Sequence, residues 1–325
     1  MVHPVGFEPA TFCSASKRSI QLSYGCKWTH VHLEIKRASH FRVTGLLYHT
    51  FQKYAIIKSG IHKIKGVSSM DQQNTANSTN STKTVMNRPP SALQTKVAHL
   101  KSKFYGAYYG HPIKDMKLIV VTGSTGKVTV ARFLQEILKS AGLHSAVLAS
   151  EDYIKTSLLH KFFNDAWKAN NNFVIVTAPA SSLQKHVFYD LPVTLAVITD
   201  FVPASLTAPT PEEYLKNTLE DLKPEIVVKN RDDAYFTAFN NFNGTKSTLT
   251  YGRDAAADIH IDDSTLYKKG TEAKITSGAA SFTAASFLSG EPAISYMTAA
   301  SASALALNIS PDAIVEGLGN YTESN

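Results

Sequence analysis

Cysteine is nearly absent from this 325-residue chain: the two present, Cys13 and Cys26, both lie near its start. The remainder offers neither a disulfide framework nor a thiolate metal site. Acidic residues are as scarce over residues 1–69, where Glu8 and Glu34 stand against ten lysines and arginines. The formal net charge of +7 therefore belongs to this leader, and residues 70–325 are close to neutral. A basic chain invites a nucleic-acid partner, but with the charge confined to the leader no such partner is expected for the rest. Long apolar runs are missing too: none reaches the roughly eighteen residues that a spanning helix needs, and the N-terminus lacks a compact apolar signal core. The expected location is the cytoplasm. The histidines include no i, i+4 pair, so no metal site is expected from them.

The leader has an unusual texture. Gly6-Phe7-Glu8-Pro9 can be encoded by a stretch containing GTTCGAA, the core of a transfer-RNA T-arm, and Ile20–Tyr24 by a D-arm read on the opposite strand. Residues 4–26 thus resemble a reverse-strand translation of a transfer-RNA gene. The expectation is that translation starts at Met70 or Met86 and that residues 1–69 overextend the gene model; a basic targeting or RNA-binding arm is the other reading. Residues 70–90 are polar and low in complexity, DQQNTANSTNSTKT at 71–84 above all, and are expected to be a disordered tail.

What is present is concentrated at Leu118–Gly142, LIVVTGSTGKVTVARFLQEILKSAG. An apolar run, a Gly-Ser-Thr-Gly-Lys turn and an amphipathic helix follow one another. This order directs the helix dipole and backbone N–H groups at one spot, which suits a nucleotide phosphate, with Lys127 adding a mobile positive charge. Gly123, Ser124, Thr125, Gly126, Lys127, Val128 and Thr129 are the candidate binding residues, and Lys127 is the candidate catalytic group. Two positions depart from the G-x-x-x-x-G-K-[ST] pattern: Val121 replaces the first glycine, and Val128 stands where a hydroxyl would meet Mg²⁺. Val130, Phe133, Leu134, Ile137, Leu138 and Ala141 share one face of the predicted helix.

The surrounding pattern predicts a helix over 93–109 with Leu93, Val97, Leu100, Phe104 and Tyr108 on one side. Strands are expected at 118–121, 145–149, 173–177, 193–199, 225–228 and 247–250, and helices at 127–141, 154–169, 211–222 and 231–240. Gly270 and Gly278 separate short strands over 257–288, and helices return at 293–307 and 311–318. This alternation implies an α/β fold with a mainly parallel P-loop-type sheet, helices on both faces and a small antiparallel section near 257–288. Its ligand belongs at the carboxyl ends of the strands.

Four segments in order resemble the central ATP-binding domain of the Mur ligases, in particular tripeptide-synthetase-like members without the usual N-terminal domain. YGHPIKDMKLIVVTGSTGKVTV is similar to the family's entry helix, strand and phosphate loop, and LAVITDF at 195–201 to its AVFTNL strand. PEEYLKNTLEDLKPEIVVKNRDD at 211–233 is similar to its EEY…VVNADD stretch, and AASASALALNISPDAIVEGL at 299–318 to its Ala-rich helices. The resemblance implies one domain over 91–325, and it implies that the C-terminal ligase domain is absent. It further implies ATP as cofactor, a UDP-muramoyl precursor as partner, and ancestral acid–amino-acid ligation in peptidoglycan synthesis.

The resemblance also assigns residues. Gly123, Gly126, Lys127, Asn230 of the adenine-contacting segment and the Asp232-Asp233 pair match. The metal-handling positions do not: Val128 replaces a hydroxyl, Thr177 a glutamate, 179–181 a polar stretch and 204–205 an acidic-His pair. Thr218 falls at the lysine that becomes carbamylated, with Lys216 two residues away, and Ala293 and Tyr296 replace an Asn-x-x-Asn pair. Bound Mg²⁺ is thus doubtful, and the expected function is an ATP-binding domain with impaired catalysis. An active UDP-muramoyl-peptide ligase and a non-catalytic interaction module are the alternatives. Ser181 and Ser182 lack the frame of a nucleophile elbow, and Asp258, Asp262 and Asp263 miss calcium-loop spacing.

Overall fold

A computed structural model describes residues 92–200, 222–236, 245–278 and 280–322. The leader, the tail before residue 92 and the predicted helix at 211–222, apart from Leu222, lie outside the described residues, as do 204–205, Lys216 and Thr218.

Among the described residues, nine strands form one sheet: β1 Lys117–Thr122, β2 Ser145–Leu148, β3 Phe173–Thr177, β4 Val193–Ile198, β5 Ile226–Asn230, β6 Ser247–Gly252, β7 Ile259–Tyr267, β8 Gly270–Ser277 and β9 Ala280–Ser286. Their spatial order is β2-β3-β1-β4-β5-β6-β7-β8-β9. Pairing is parallel from β2 through β7 and antiparallel among β7, β8 and β9. The α/β reading, with its antiparallel end, is therefore correct.

The helices are α1 Ala92–Tyr108, α2 Lys127–Ser140, α3 Thr156–Lys168, the single turn α4 Ala180–Leu183, α5 Glu291–Ala306 and α6 Pro311–Asn320. Among the described residues no helix is long and apolar enough to cross a membrane. The central strand β1 is buried on both sides, which explains its unbroken apolar run. Ile119 and Val121 pack with α2, α5 and α6 on one face, and Leu118 and Val120 with α3 on the other.

Helix α5 is buried nearly all round, and its small residues allow that. Thr298, Ser301 and Ser303 are buried but satisfied, each hydroxyl donating to the carbonyl four residues back at 2.8, 2.8 and 2.6 Å. Helix α6 meets α2 at Gly317, where any side chain would run into the backbone of Ile137.

Two expectations need correction. Leu93 and Tyr108 of α1 are exposed; the helix buries Ser102 and Gly106 instead, so small residues and not the apolar stripe make its closest approach. The predicted helix at 231–240 is a turn over 231–236, with 237–240 outside the described residues. Asn230 Oδ1 accepts the Asp232 N–H at 3.0 Å, and Asp233 Oδ1 accepts the Tyr235 N–H at 2.7 Å. Side chains that capture nearby amides in this way compete with helix formation.

Candidate functional site

The chain leaves β1 for β2 on one side and later returns to β4 on the other, so the loops after β1 and β4 meet at the carboxyl edge of the sheet. Thr122 ends β1 and Lys127 opens α2. Between them Gly123 (φ 138°) and Gly126 (φ 72°) adopt backbone conformations that favour glycine. Both are also crowded: a Cβ on Gly123 would strike Thr199 Oγ1, and one on Gly126 would strike the ring of Tyr296.

All seven loop positions singled out from the sequence, 123–129, are thus brought together at the N-terminus of α2. The N–H groups of Lys127, Val128 and Thr129 have no i−4 carbonyl within that helix, and its dipole points positive charge into the turn. Lys127 is buried, 5% exposed. Its Nζ donates to the Ser124 carbonyl at 3.1 Å and lies 3.4 Å from Glu151 Oε2 on the loop after β2. Asn230 ends β5 on the same edge, two strands from β1, where its side chain shapes the 230–232 turn.

The residues after β4 fill the other side of the turn. Thr199 Oγ1 donates to the Thr125 carbonyl at 2.7 Å, and Thr199 N–H donates to the Thr122 carbonyl at 2.9 Å. Asp200 takes three donors from the loop: Ser124 N–H to its carbonyl at 3.0 Å, Thr125 N–H to Oδ1 at 2.8 Å and the Thr125 hydroxyl to Oδ2 at 2.6 Å. The Tyr296 hydroxyl, from α5, donates to Thr125 Oγ1 at 3.2 Å. Tyr251 anchors this assembly from β6 by donating to the Thr199 carbonyl at 2.9 Å; burial pushes its pKa above the ordinary tyrosine range and keeps it a donor.

Asp200 was not singled out from the sequence. Its signal was the carboxylate that ends Thr199-Asp200, where the family's strand motif carries an amide. Lys229, beside Asn230, was also passed over: it is buried, sits 4.1 Å over the Phe236 ring, and has its pKa lowered by burial and by Arg231. Asp232 accepts the N–H groups of Arg253 at 2.7 Å and Asp254 at 2.9 Å, so its carboxylate holds the turn after β6.

Of the positions aligned with metal ligands, 204–205 and Thr218 lie outside the described residues, and Val128 has no side-chain oxygen. The Thr177 hydroxyl accepts the Ser150 N–H at 2.7 Å and donates to the Ser150 carbonyl at 2.9 Å. Two residues weighed for other chemistry are engaged as well: Ser182 Oγ accepts the Ile154 N–H at 2.9 Å, and Asp258 Oδ2 accepts both the N–H and the hydroxyl of Thr250. Among the described residues, no three or more His, Cys, Asp or Glu side chains are grouped so as to hold a metal ion.

Comparison with known proteins agrees with this architecture. The Mur ligase middle domain matches residues 121–304, more than half of the chain. The chain is similar to the UDP-N-acetylmuramoyl-L-alanyl-D-glutamate--2,6-diaminopimelate ligase of Synechocystis sp., with 25% identity over 234 residues that cover 66% of this chain and 46% of that protein. The ligase of the same description from Clostridium botulinum is 26% identical over 181 residues, 51% of this chain and 37% of that protein. A solved structure of a 2,6-diaminopimelate ligase of this description superposes with a TM-score of 0.63 at 20% identity, covering 72% of this chain and 51% of that one. The chain thus spans about half or less of the length of these relatives.

Proposed function

The chain belongs to the Mur ligase middle-domain family, and on that premise we propose that it binds ATP at residues 123–129 but is impaired in phosphoryl transfer. In the family's chemistry, ATP phosphorylates a carboxylate of a UDP-muramoyl precursor and an amine then displaces phosphate to form an amide. The phosphate-binding half of that apparatus has its counterparts here. Lys127 and the first N–H groups of α2 would meet the phosphates, Gly123 and Gly126 would let the backbone approach them, and Asn230, at the end of β5, would meet the adenine.

The metal-handling half does not fit. Bound Mg²⁺ would supply the charge neutralisation that in-line transfer between anions requires, and Val128 offers it no oxygen. The observation that carries the reading is Thr177: at the end of β3, where a glutamate is expected from the resemblance, its hydroxyl is engaged as acceptor and donor by Ser150. Losing electrostatic stabilisation of this kind costs about 3 kcal/mol per donor group removed.

A second reading, an active UDP-muramoyl-peptide ligase, is favoured by the relatives, which are named as ligases. Phosphate release in the presence of ATP, Mg²⁺ and a UDP-muramoyl peptide separates the two. We expect no release above the protein-free rate. Release that depends on both the muramoyl peptide and Mg²⁺ overturns the proposal in favour of the active ligase.

A further inference from the structure

We propose that Asp200 is a built-in competitor of nucleotide phosphate, so that this one carboxylate sets how tightly the phosphate loop binds its ligand; the inference rests on the reading of that loop as a nucleotide site. The turn between β1 and α2 attracts anions through its backbone N–H groups, and two of those, Ser124 and Thr125, already point at Asp200. The Thr125 hydroxyl completes the set, so one residue receives three donors, two of them on its carboxylate.

The attachment is held from three sides. Thr199, 1% exposed, is bonded to the carbonyls of Thr122 and Thr125, and its own carbonyl accepts the Tyr251 hydroxyl. From α5, the Tyr296 hydroxyl donates to the same Thr125 oxygen that donates to Asp200. The buried hydrogen bonds of Thr199 thus fix the backbone that carries Asp200, and the exposed bonds to Thr125 orient its carboxylate.

The charge balance of the turn follows. Lys127 is the cation in the loop, and it already faces Glu151. With Asp200 added, the cradle carries one more negative than positive charge before any phosphate arrives, and an incoming triphosphate meets a like charge where it needs donors. The Glu151 contact is easily broken, since Glu151 is mostly exposed and swings on a long side chain. The Asp200 carboxylate is short and bonded at both oxygens, so it must move for the Thr125 amide and hydroxyl to turn to a ligand, while the Ser124 amide stays on the Asp200 main-chain carbonyl. An asparagine at 200 would keep Oδ1 for the Thr125 N–H, offer its amide to the Thr125 hydroxyl and remove the charge.

The test is calorimetric titration of the full chain with ATP in EDTA, then in Mg²⁺, for the wild type, Asp200→Asn and Asp200→Asn/Lys127→Ala. Asp200→Asn is expected to bind ATP at least about tenfold more tightly than the wild type, as removal of one like charge near the phosphates implies. The gain should be present in EDTA and lost in the double variant. If the wild type binds ATP and Asp200→Asn binds no better, the role given to Asp200 is wrong and the nucleotide reading stands. If no form binds ATP, both fail. Binding that needs Mg²⁺ in the wild type and is lost in Asp200→Asn makes Asp200 a cation ligand and also overturns the proposal. Should Asp200→Asn fold poorly by its thermal transition, Asp200→Ser, uncharged and smaller, carries the same expectation and the same refutations.

Discussion

The ring of Tyr296 occupies the space that a side chain on Gly126 would need, although the two residues are 170 positions apart in sequence. This contact joins the last turn before α2 to the N-terminal half of α5, and it couples a backbone requirement to a packing one. Gly126 has φ 72°, so any larger residue meets strain from the left-handed backbone as well as steric conflict.

Gly126→Ala is accordingly expected to destabilise the protein by about 2 kcal/mol or more, the sum of the left-handed penalty and the displaced ring. Tyr296→Ala in the same chain should recover the steric part and leave the backbone part. Urea denaturation of the four forms gives the coupling energy, expected at about 1 kcal/mol or above. Strict additivity of the two substitutions would mean that the ring does not constrain the loop.

His160 predicts an acid-sensitive stability. It is 3% exposed at the α1–α3 contact, with Nε2 3.4 Å from Ser102 Oγ, and its pKa is pushed down to about 4, first by burial and then by His111. The folded state therefore holds this imidazole neutral while the unfolded chain takes up a proton below about pH 6.5. The contribution is fully present above pH 6.5 and is lost as pH falls toward 4. At pH 5 the linkage amounts to about 2 kcal/mol. His160→Gln should lose about that much less stability than the wild type between pH 7.5 and pH 5 in urea denaturation. Equal losses in the two proteins would show that His160 is protonated in the fold.

Much of this architecture was legible because hydrophobic pattern controls it. The run at 118–121 and the 3.6-residue period of 130–138 locate β1 and α2, and their both-sided burial leaves little room for another arrangement. Helix α1 was placed correctly but its face was not, since Ser102 and Gly106 dock by being small and carry no hydropathy signal. The turn at 231–236 was written in Asn230 and Asp233, residues that hold backbone amides as readily as they enter helices. In the loop, residues 123–129 were legible as a contiguous motif. Asp200 and Tyr296 reach it from 75 and 171 positions away from Thr125, by contacts that no local spacing encodes.

The central claim is that this loop grips phosphate without a divalent ion, and its most direct measurement is the affinity for ATP, taken calorimetrically in EDTA and in excess Mg²⁺ with Lys127→Ala alongside. The account predicts binding in both buffers within about threefold of each other, and none by Lys127→Ala; for a ligand at a hundred times its Kd, this corresponds to a stabilisation of about 2.7 kcal/mol. Binding that requires Mg²⁺, or that survives removal of the Lys127 ammonium group, would contradict it.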